Sequence, residues 1–283
     1  MDLELLNKAL MYRILSIPTF SENEQLLIDF IQGFAVNRGI EVVTDRKGNL
    51  YLTKSYIEKR EYYPCVCAHL DTVHYNHLAW IEQKRPLEII TEDIGNKHKL
   101  YCNRVGIGGD DKAGVLICLT LLDKLPKLKA AFFVEEELGS QGSIKADLEW
   151  FRNIGYIIAF DAPGVTCSWS CGGTRLFDKQ FYKDYLLKLE EFFGSISYNS
   201  HPYTDIMHLR MDTSLACMNI GCGYYDYHTP YEYCIAEEMD RAVQIGLYLI
   251  ELLGHKEYVI PYYPRMKSPN DEDDKFFINL FKK

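Results

Sequence analysis

Short apolar runs that end in carboxylate or imidazole side chains constrain the fold of this chain more than any other feature. Residues 63–68, 130–134 and 156–160 are almost wholly apolar. Runs of this length and character are typical of central β-strands that are covered on both faces. His69, the acidic triplet 135–137 and Asp161 follow these runs directly. Because ligands bind beyond the carboxyl ends of strands in such sheets, we expect these side chains to line one edge.

Segments with helical spacing of apolar residues alternate with the strands. We predict helices over residues 3–15, 112–125, 143–151, 178–193 and 236–253, and another that begins at an N-cap, Ser21, and closes at Gly39. Further strands are predicted over residues 41–44, 50–54 and 214–220, with an added hairpin over residues 87–91 and 99–102. The alternation predicts an α/β fold with a mixed central β-sheet sandwiched between helices.

Composition limits the classes of function. The formal charge of −9 argues against nucleic-acid binding, which favours a basic face. The start of the chain lacks the basic and apolar regions of a signal peptide, and no apolar stretch reaches the length of a membrane span. Nine unpatterned cysteines are typical of reduced thiols, with Cys65 and Cys67 packed in the core. We therefore expect a cytoplasmic protein that binds neither membrane nor nucleic acid.

Candidate metal ligands lie at five separate element edges: His69, Asp110, the pair Glu136 and Glu137, Asp161, and His228. Taken singly, each has an ordinary explanation, such as a structural histidine, an N-cap, a solvated helix start or a turn residue. Their recurrence at five edges favours a two-metal hydrolytic site, because imidazole and carboxylate donors suit borderline metals.

Two adjacent carboxylates also permit a division of labour. One of Glu136 and Glu137 can bind metal while its neighbour transfers a proton. Asp71, two residues after His69, can accept the second imidazole N–H and so fix the tautomer.

These residues also carry a resemblance to a known family. The quoted segments are Ala68-His69-Leu70-Asp71-Thr72-Val73, Gly109-Asp110-Asp111-Lys112-Ala113-Gly114, Glu135-Glu136-Glu137-Leu138-Gly139-Ser140, Phe160-Asp161 and Tyr227-His228-Thr229-Pro230-Tyr231-Glu232. From about residue 5 to residue 253 the chain resembles the co-catalytic di-zinc exopeptidases, which include peptidase T, zinc aminopeptidases, aminoacylases and carboxypeptidases of the glutamate carboxypeptidase type. The resemblance implies a phosphorylase/hydrolase-like architecture.

The resemblance also implies roles for the site residues. Asp110 bridges two divalent ions, His69 and Asp161 complete one site, and Glu137 and His228 complete the other. Glu136 is then the general base, and Asp71 supports His69. The metal is expected to be zinc, with cobalt or manganese also suited to these ligands. In the family, the peptide bond after the bridging Asp is often cis.

The chain departs from many relatives in length. Only 66 residues lie between Asp161 and His228, where those relatives carry an extra domain for dimerisation or as a lid. We therefore predict one catalytic domain over residues 1–265, an acidic C-terminal tail over residues 266–283, and a monomer or weak homo-oligomer. Within the tail, residues 268–274 are expected to be a solvated linker, and residues 276–281 an apolar segment able to dock on the body.

The expected substrate is a short peptide. An Asp at position 161 is associated with aminopeptidases in the family, and Glu135, Asp205 and Asp226 are candidates for holding the free α-amine. Two alternatives stay open at this point. One is an N-acyl amino acid amidohydrolase or a carboxypeptidase with the same centre. The other is a catalytically silent protein that binds metal or peptide.

Overall fold

A nine-stranded mixed sheet forms the centre of the protein. The computed structural model describes residues 3–56, 61–74, 85–103, 105–194, 196–261 and 272–280. The strands of the large sheet are β1 (Glu41–Thr44), β2 (Leu50–Lys54), β3 (Tyr63–His69), β6 (Leu128–Phe133), β7 (Ile154–Ala162), β8 (Thr166–Cys171), β9 (Thr174–Arg175), β10 (Ser197–His201) and β11 (Cys217–Gly221). Their order is β1-β2-β6-β3-β7-β11-β8-β10, with β9 paired to β8.

Four neighbouring strands of this sheet run parallel and bring their carboxyl ends to one edge. In register, β3 pairs with β6 on one side and with β7 on the other, and β7 pairs with β11. Every residue of these four strands is buried, as expected of strands covered on both faces. The apolar runs in the sequence therefore place the residues that follow them side by side.

Helices cover the sheet. They are α1 (Lys8–Leu15), α2 (Gln25–Val36), α3 (Gly109–Lys124), α4 (Gln141–Ile144), α5 (Lys179–Phe181), α6 (Leu187–Phe193), α7 (Asp205–Thr213), α8 (Ala236–Leu253) and α9 (Glu272–Leu280), with one π-helical segment (Tyr182–Leu186) between α5 and α6. Helix α3 packs on β3 and β7 beneath α8, and its residues from 109 to 122 are all buried. Within the described ranges, no helix is both long and apolar enough to cross a membrane.

A second, four-stranded antiparallel sheet lies beside the first. Its strands are β4 (Ile90–Ile94), β5 (Lys97–Tyr101), β12 (Tyr224–Tyr225) and β13 (Tyr233–Ile235), in the order β12-β13-β5-β4. The added hairpin is thus present as β4 and β5. Pairing of β13 with β5 joins it to the loop that carries His228.

The structure differs from three local predictions. Ser21 does not cap α2, which begins at Gln25; its hydroxyl donates to Asp71 instead. The helix expected over residues 143–151 is only the single turn of α4, followed by further turns. The solvated linker predicted over residues 268–274 is helical over residues 272–274, which belong to α9, and its residues 268–271 lie outside the described residues.

Buried aromatic packing holds the C-terminal helix on the body. The Phe277 side chain is fully buried and stacks on Trp169 at 5.4 Å between ring centroids. Phe177 and Tyr182 contact the Phe277 ring edge-on.

All nine cysteines are buried as free thiols, and Cys65 and Cys67 pack in the core as predicted.

Candidate metal centre

The five predicted ligands converge at the carboxyl edge of the parallel strands. The His69 Nε2 atom lies 3.0 Å from Asp110 Oδ1 and 3.6 Å from Asp161 Oδ1. The His228 Nε2 atom lies 2.7 Å from Glu137 Oε1 and 3.4 Å from Asp110 Oδ2. Residues from β3, β7, the start of α3 and two loops therefore form one continuous cluster.

Asp110 divides this cluster into two halves. We call His69, Asp161 and the Oδ1 atom of Asp110 the inner cluster, and Glu137, His228 and the Oδ2 atom of Asp110 the outer cluster. The donor atoms of Asp110, Glu137 and His228 all lie within 4.8 Å of one another. The inner cluster is almost inaccessible, with the His69 side chain 1% exposed, whereas the His228 side chain is 40% exposed.

Asp111 also lies within ligand distance of His69 and Asp161. Its carboxylate, however, is already used within the fold. The Oδ2 atom accepts the His69 backbone N–H at 3.1 Å, and the Oδ1 atom accepts the Gly114 N–H at 3.0 Å. The Asp110–Asp111 peptide bond is cis, in agreement with the expectation from the resemblance. Asp110 faces both clusters while Asp111 anchors the strand end and the helix start.

Asp71 connects His69 with the Glu136–Glu137 segment. Its Oδ1 atom accepts the Glu136 N–H at 2.9 Å, and its Oδ2 atom accepts the Glu137 N–H at 3.1 Å and the Ser21 hydroxyl at 2.7 Å. The His69 Nδ1 atom is closer to the backbone oxygen of Asp71, at 2.9 Å, than to its carboxylate, at 3.4 Å. The Asp71 carboxylate therefore binds Glu136, Glu137 and Ser21, whereas the sequence predicted that it supports His69.

Glu136 lies beside both clusters without joining the ion pairs of the outer one. Its Oε2 atom is 3.9 Å from His69 Nε2, and its Oε1 atom accepts the Ser140 hydroxyl at 3.3 Å. Burial, and then the negative charges of Asp161, Asp205 and Glu137, raise its pKa to about 10, against the opposing effect of His69. A carboxylate held at the rim of a ligand cluster in this way can exchange a proton with a molecule bound there.

Glu232, the last residue of the quoted segment that contains His228, is a buried residue of the site for which the sequence predicted no role. Its Oε2 atom accepts the Gly108 N–H at 2.8 Å and its Oε1 atom accepts the Asp110 N–H at 2.9 Å. Burial raises the pKa of Glu232 to about 8, and burial lowers the pKa of the nearby Lys112 to about 8. A lone carboxylate next to the apolar strand β13 was the available sequence signal.

Asn219 holds the ligand at the end of β7. Its Oδ1 atom accepts the Asp161 N–H at 3.0 Å, and its Nδ2 group donates to the Asp161 carbonyl at 2.8 Å. Both hydrogen bonds join neighbouring parallel strands, so the Asp161 backbone is fixed independently of the other ligands.

The clustered charges shift the pKa values of the ligands strongly. Burial lowers the pKa of His69, but hydrogen bonds to Asp110 and Asp161 outweigh it and raise the pKa well above the usual value. Hydrogen bonds to Asp110 and Glu137 raise the pKa of His228 to about 10. Burial raises the pKa values of Asp161 and Glu137. Several carboxylates thus share a low-dielectric pocket, where positive charge is strongly favoured.

The three candidates for binding an α-amine differ in their surroundings. Glu135 is paired with Lys47 at 2.5 Å, and Asp226 is exposed. Asp205 is 5% exposed and its side chain is hydrogen-bonded to Ser143, while its buried Oδ1 atom has no hydrogen-bond partner among the described residues. Asp205 is therefore the buried candidate of the three. It lies near enough to Glu136 for its negative charge to raise the pKa of Glu136.

Solved peptidase structures share this fold. A tripeptidase from Staphylococcus aureus matches with a TM-score of 0.69 and 13% identity, over 88% of this chain and 99% of that chain. Aminopeptidase PepT from Bacillus cereus matches with a TM-score of 0.67 and 13% identity, over 88% of this chain and 100% of that chain. The TET1 peptidase of Pyrococcus horikoshii matches with a TM-score of 0.65 and 14% identity, over 88% of this chain and 99% of that chain. By sequence, the chain matches no protein-family model and no curated protein. The chain therefore has the α/β fold of these peptidases.

Proposed function

We propose that this protein is a metal-dependent exopeptidase, and more narrowly an aminopeptidase that hydrolyses short peptides. The observation that carries the proposal is the division of one ligand cluster by Asp110, with Glu136 beside it. The likeness in fold to a tripeptidase and to aminopeptidases supports it. A buried cluster of this kind has no evident purpose in a purely structural core, where unpaired charges are costly.

The residues present fit divalent metal ions. The clustered donors are imidazole nitrogens and carboxylate oxygens, which suit zinc, cobalt and manganese, and zinc is our proposal. His69 and Asp161 would hold one ion, Glu137 and His228 would hold a second, and Asp110 would contact both. When bound, such ions supply Lewis-acid chemistry, lowering the pKa of water and polarising a carbonyl group.

The protein's own residues then handle the proton and the peptide. Glu136 removes a proton from the water that attacks the scissile carbonyl carbon. As the C–N bond breaks, Glu136 returns that proton to the leaving nitrogen. The Asp71 carboxylate positions Glu136 by accepting the Glu136 backbone N–H. Ser140 steadies one oxygen of the same carboxylate.

The aminopeptidase assignment rests on Asp161 and on the fold. The Asp at this position matches the aminopeptidase pattern of the resemblance, and PepT and TET1 are described as an aminopeptidase and a peptidase. Asp205 is the proposed acceptor for the substrate α-ammonium group. An N-acyl amino acid amidohydrolase or a carboxypeptidase would use the same centre but would act on substrates with a blocked amine.

The experiment is a turnover panel after bound metal has been measured. It compares free-amine di- and tripeptides, N-blocked peptides and N-acetyl amino acids, using wild type and Glu136→Gln. Glu149→Gln is the control, since that carboxylate is 63% exposed and forms a surface ion pair with Arg152. We expect cleavage of free-amine peptides alone, lost in Glu136→Gln with metal retained.

Two other outcomes would change the proposal. Turnover of blocked substrates would move the assignment to the amidohydrolase or carboxypeptidase class. Absence of turnover with metal bound would favour the silent binding protein, and absence of both turnover and metal would contradict the proposed metal centre. The proposed partners remain a short peptide and no nucleic acid, and the proposed location is the cytoplasm. We propose a monomer or weak homo-oligomer, although the TET1 peptidase is described as assembling into a tetrahedron or an octahedral shell.

A further inference from the structure

Glu232 joins the two loops on which the outer cluster depends. It lies four residues after His228 in the chain, and its carboxylate accepts the backbone N–H groups of Gly108 and Asp110. The side chain is 1% exposed, so water does not compete for these bonds. One buried carboxylate thus connects the His228 loop to the backbone of the ligand that both clusters share.

The two loops are packed too closely for either to shift freely. A Cβ atom on Gly106 would lie 2.8 Å from the Thr229 carbonyl oxygen, and one on Gly109 would lie 2.5 Å from the Cys234 sulfur. Gly106 and Gly108 also have positive φ angles of 76° and 66°, which favour glycine. In this close packing, the hydrogen bonds that Glu232 accepts fix the backbone that carries the Asp110 side chain.

The inner cluster shares Asp110 with the outer one, but its other two members, His69 and Asp161, have anchors that do not involve Glu232. The His69 N–H donates to Asp111, and its Nδ1 atom meets the Asp71 carbonyl. Asp161 is held by two hydrogen bonds with Asn219. Loss of Glu232 would leave all four of these contacts in place.

The outer cluster lacks comparable support on one side. Glu137 is anchored through its N–H to Asp71. His228 is the most exposed of the proposed ligands and has a positive φ of 61°; its ring pairs with Glu137 and Asp110 and packs edge-on against Tyr227. The position of its loop therefore depends on neighbours such as Glu232.

We propose that Glu232 is a positioning residue that selectively maintains metal binding at the outer cluster, an inference that rests on the proposed function. It acts by fixing the Asp110 backbone and the His228 loop relative to each other. Removing its acceptor capacity lowers the affinity of the outer cluster by about 10- to 100-fold, as is usual for groups that orient metal ligands. The affinity of the inner cluster, which shares only Asp110 with the outer one, decreases by less than that of the outer cluster.

The test is calorimetric titration of the metal-free protein with Zn²⁺, resolving two binding steps. Glu232→Gln keeps the shape of the side chain but replaces one accepting oxygen by an NH₂ group, which cannot accept from a backbone N–H. Glu232→Asp keeps the charge on a shorter side chain that reaches only one of the two N–H groups. Glu238→Gln is the matched control, because this buried carboxylate bonds Lys97 and Tyr225. Thermal unfolding of each metal-free variant verifies folding.

The proposal predicts that both Glu232 variants lose more affinity in one binding step than in the other, while Glu238→Gln matches wild type. Equal weakening of both steps in either variant would mean that Glu232 does not act selectively and would overturn the proposal. Unchanged binding in both variants would also overturn it. Wild type that binds fewer than two ions would instead refute the proposed metal centre itself, so the two failures can be told apart.

Discussion

Replacing Asp71 by Asn tests whether the Glu136–Glu137 segment is held by one buried carboxylate. The Asp71 side chain is fully buried and accepts three hydrogen bonds: from the Glu136 N–H, the Glu137 N–H and the Ser21 hydroxyl. Asn has the same shape but carries a donor in place of one oxygen. Whichever way the amide turns, its NH₂ group faces at least one backbone N–H.

The expected magnitude follows from that mismatch. A hydrogen bond to a charged group contributes about 1.5–3 kcal/mol, and a buried N–H left without an acceptor costs about 1–3 kcal/mol. Allowing for relaxation of the loop, we expect a loss of about 2–4 kcal/mol in the positioning of Glu136 and Glu137. At about 1.36 kcal/mol per tenfold, this is a decrease in kcat/KM of about 30- to 900-fold.

The assay is kcat/KM on the best free-amine peptide, with metal content measured in parallel. Ser21→Ala is the comparison, because it removes one of the three donors and leaves both Glu N–H groups bonded. We expect Ser21→Ala to lower kcat/KM by less than about tenfold. Activity of Asp71→Asn within threefold of wild type, at equal metal content, would refute the reasoning.

Other substitutions test the fold around the site. Gly114→Ala should lower the free energy of unfolding by about 3 kcal/mol or more, because its Cβ would lie 2.0 Å from the Phe160 carbonyl oxygen. Gly33→Ala, where the Cβ would meet open space, should raise the free energy of unfolding by about 0.5–1 kcal/mol. Denaturant titration measures both changes. Phe277→Ala should cost about 3–5 kcal/mol of helix docking and change the fluorescence of Trp169. Chelation should lower Tm, and added metal at about 1,000 times Kd should restore about 4 kcal/mol.

The central sheet was predictable because its signal is local. A strand buried on both faces is apolar over most of its length, and β3, β6 and β7 show this in five or six consecutive residues. The proposed ligands His69, Glu137 and Asp161 were predictable for the same reason, since they closely follow these runs. Ligand-type residues at several strand ends implied convergence once the strands were taken as parallel neighbours.

The supporting contacts could not be predicted in this way, because they join distant parts of the chain. Glu232 and Asp110 are 122 residues apart, and Asp71 and Glu137 are 66 apart. Their partners are backbone N–H groups, which every residue except proline carries, so the sequence holds no trace of the pairing. Ser21 was assigned as an N-cap for the same reason, since its real acceptor lies 50 residues away.

The C-terminal segment shows a different source of error. Acidic residues before an apolar stretch were interpreted as a solvated linker, but Glu272 and Asp273 begin α9. Negative charge in the first turn of a helix is favourable, since it faces the positive end of the helix dipole. The same charges therefore fit a helix start once Phe277 has a pocket to occupy.

In the irregular segments that carry proposed ligands, side-chain oxygens accept backbone N–H groups that would otherwise be buried without a partner. Loops leave backbone N–H groups that no strand or helix can satisfy, and a buried N–H without an acceptor is costly. Here carboxylate oxygens of Asp71 and Glu232 accept them. Carboxylates in this role also add negative charge around the proposed metal-binding side chains, which already repel one another. The arrangement gives up stability in the metal-free protein and favours cation binding, so positioning of the ligands and affinity for metal arise from the same side chains.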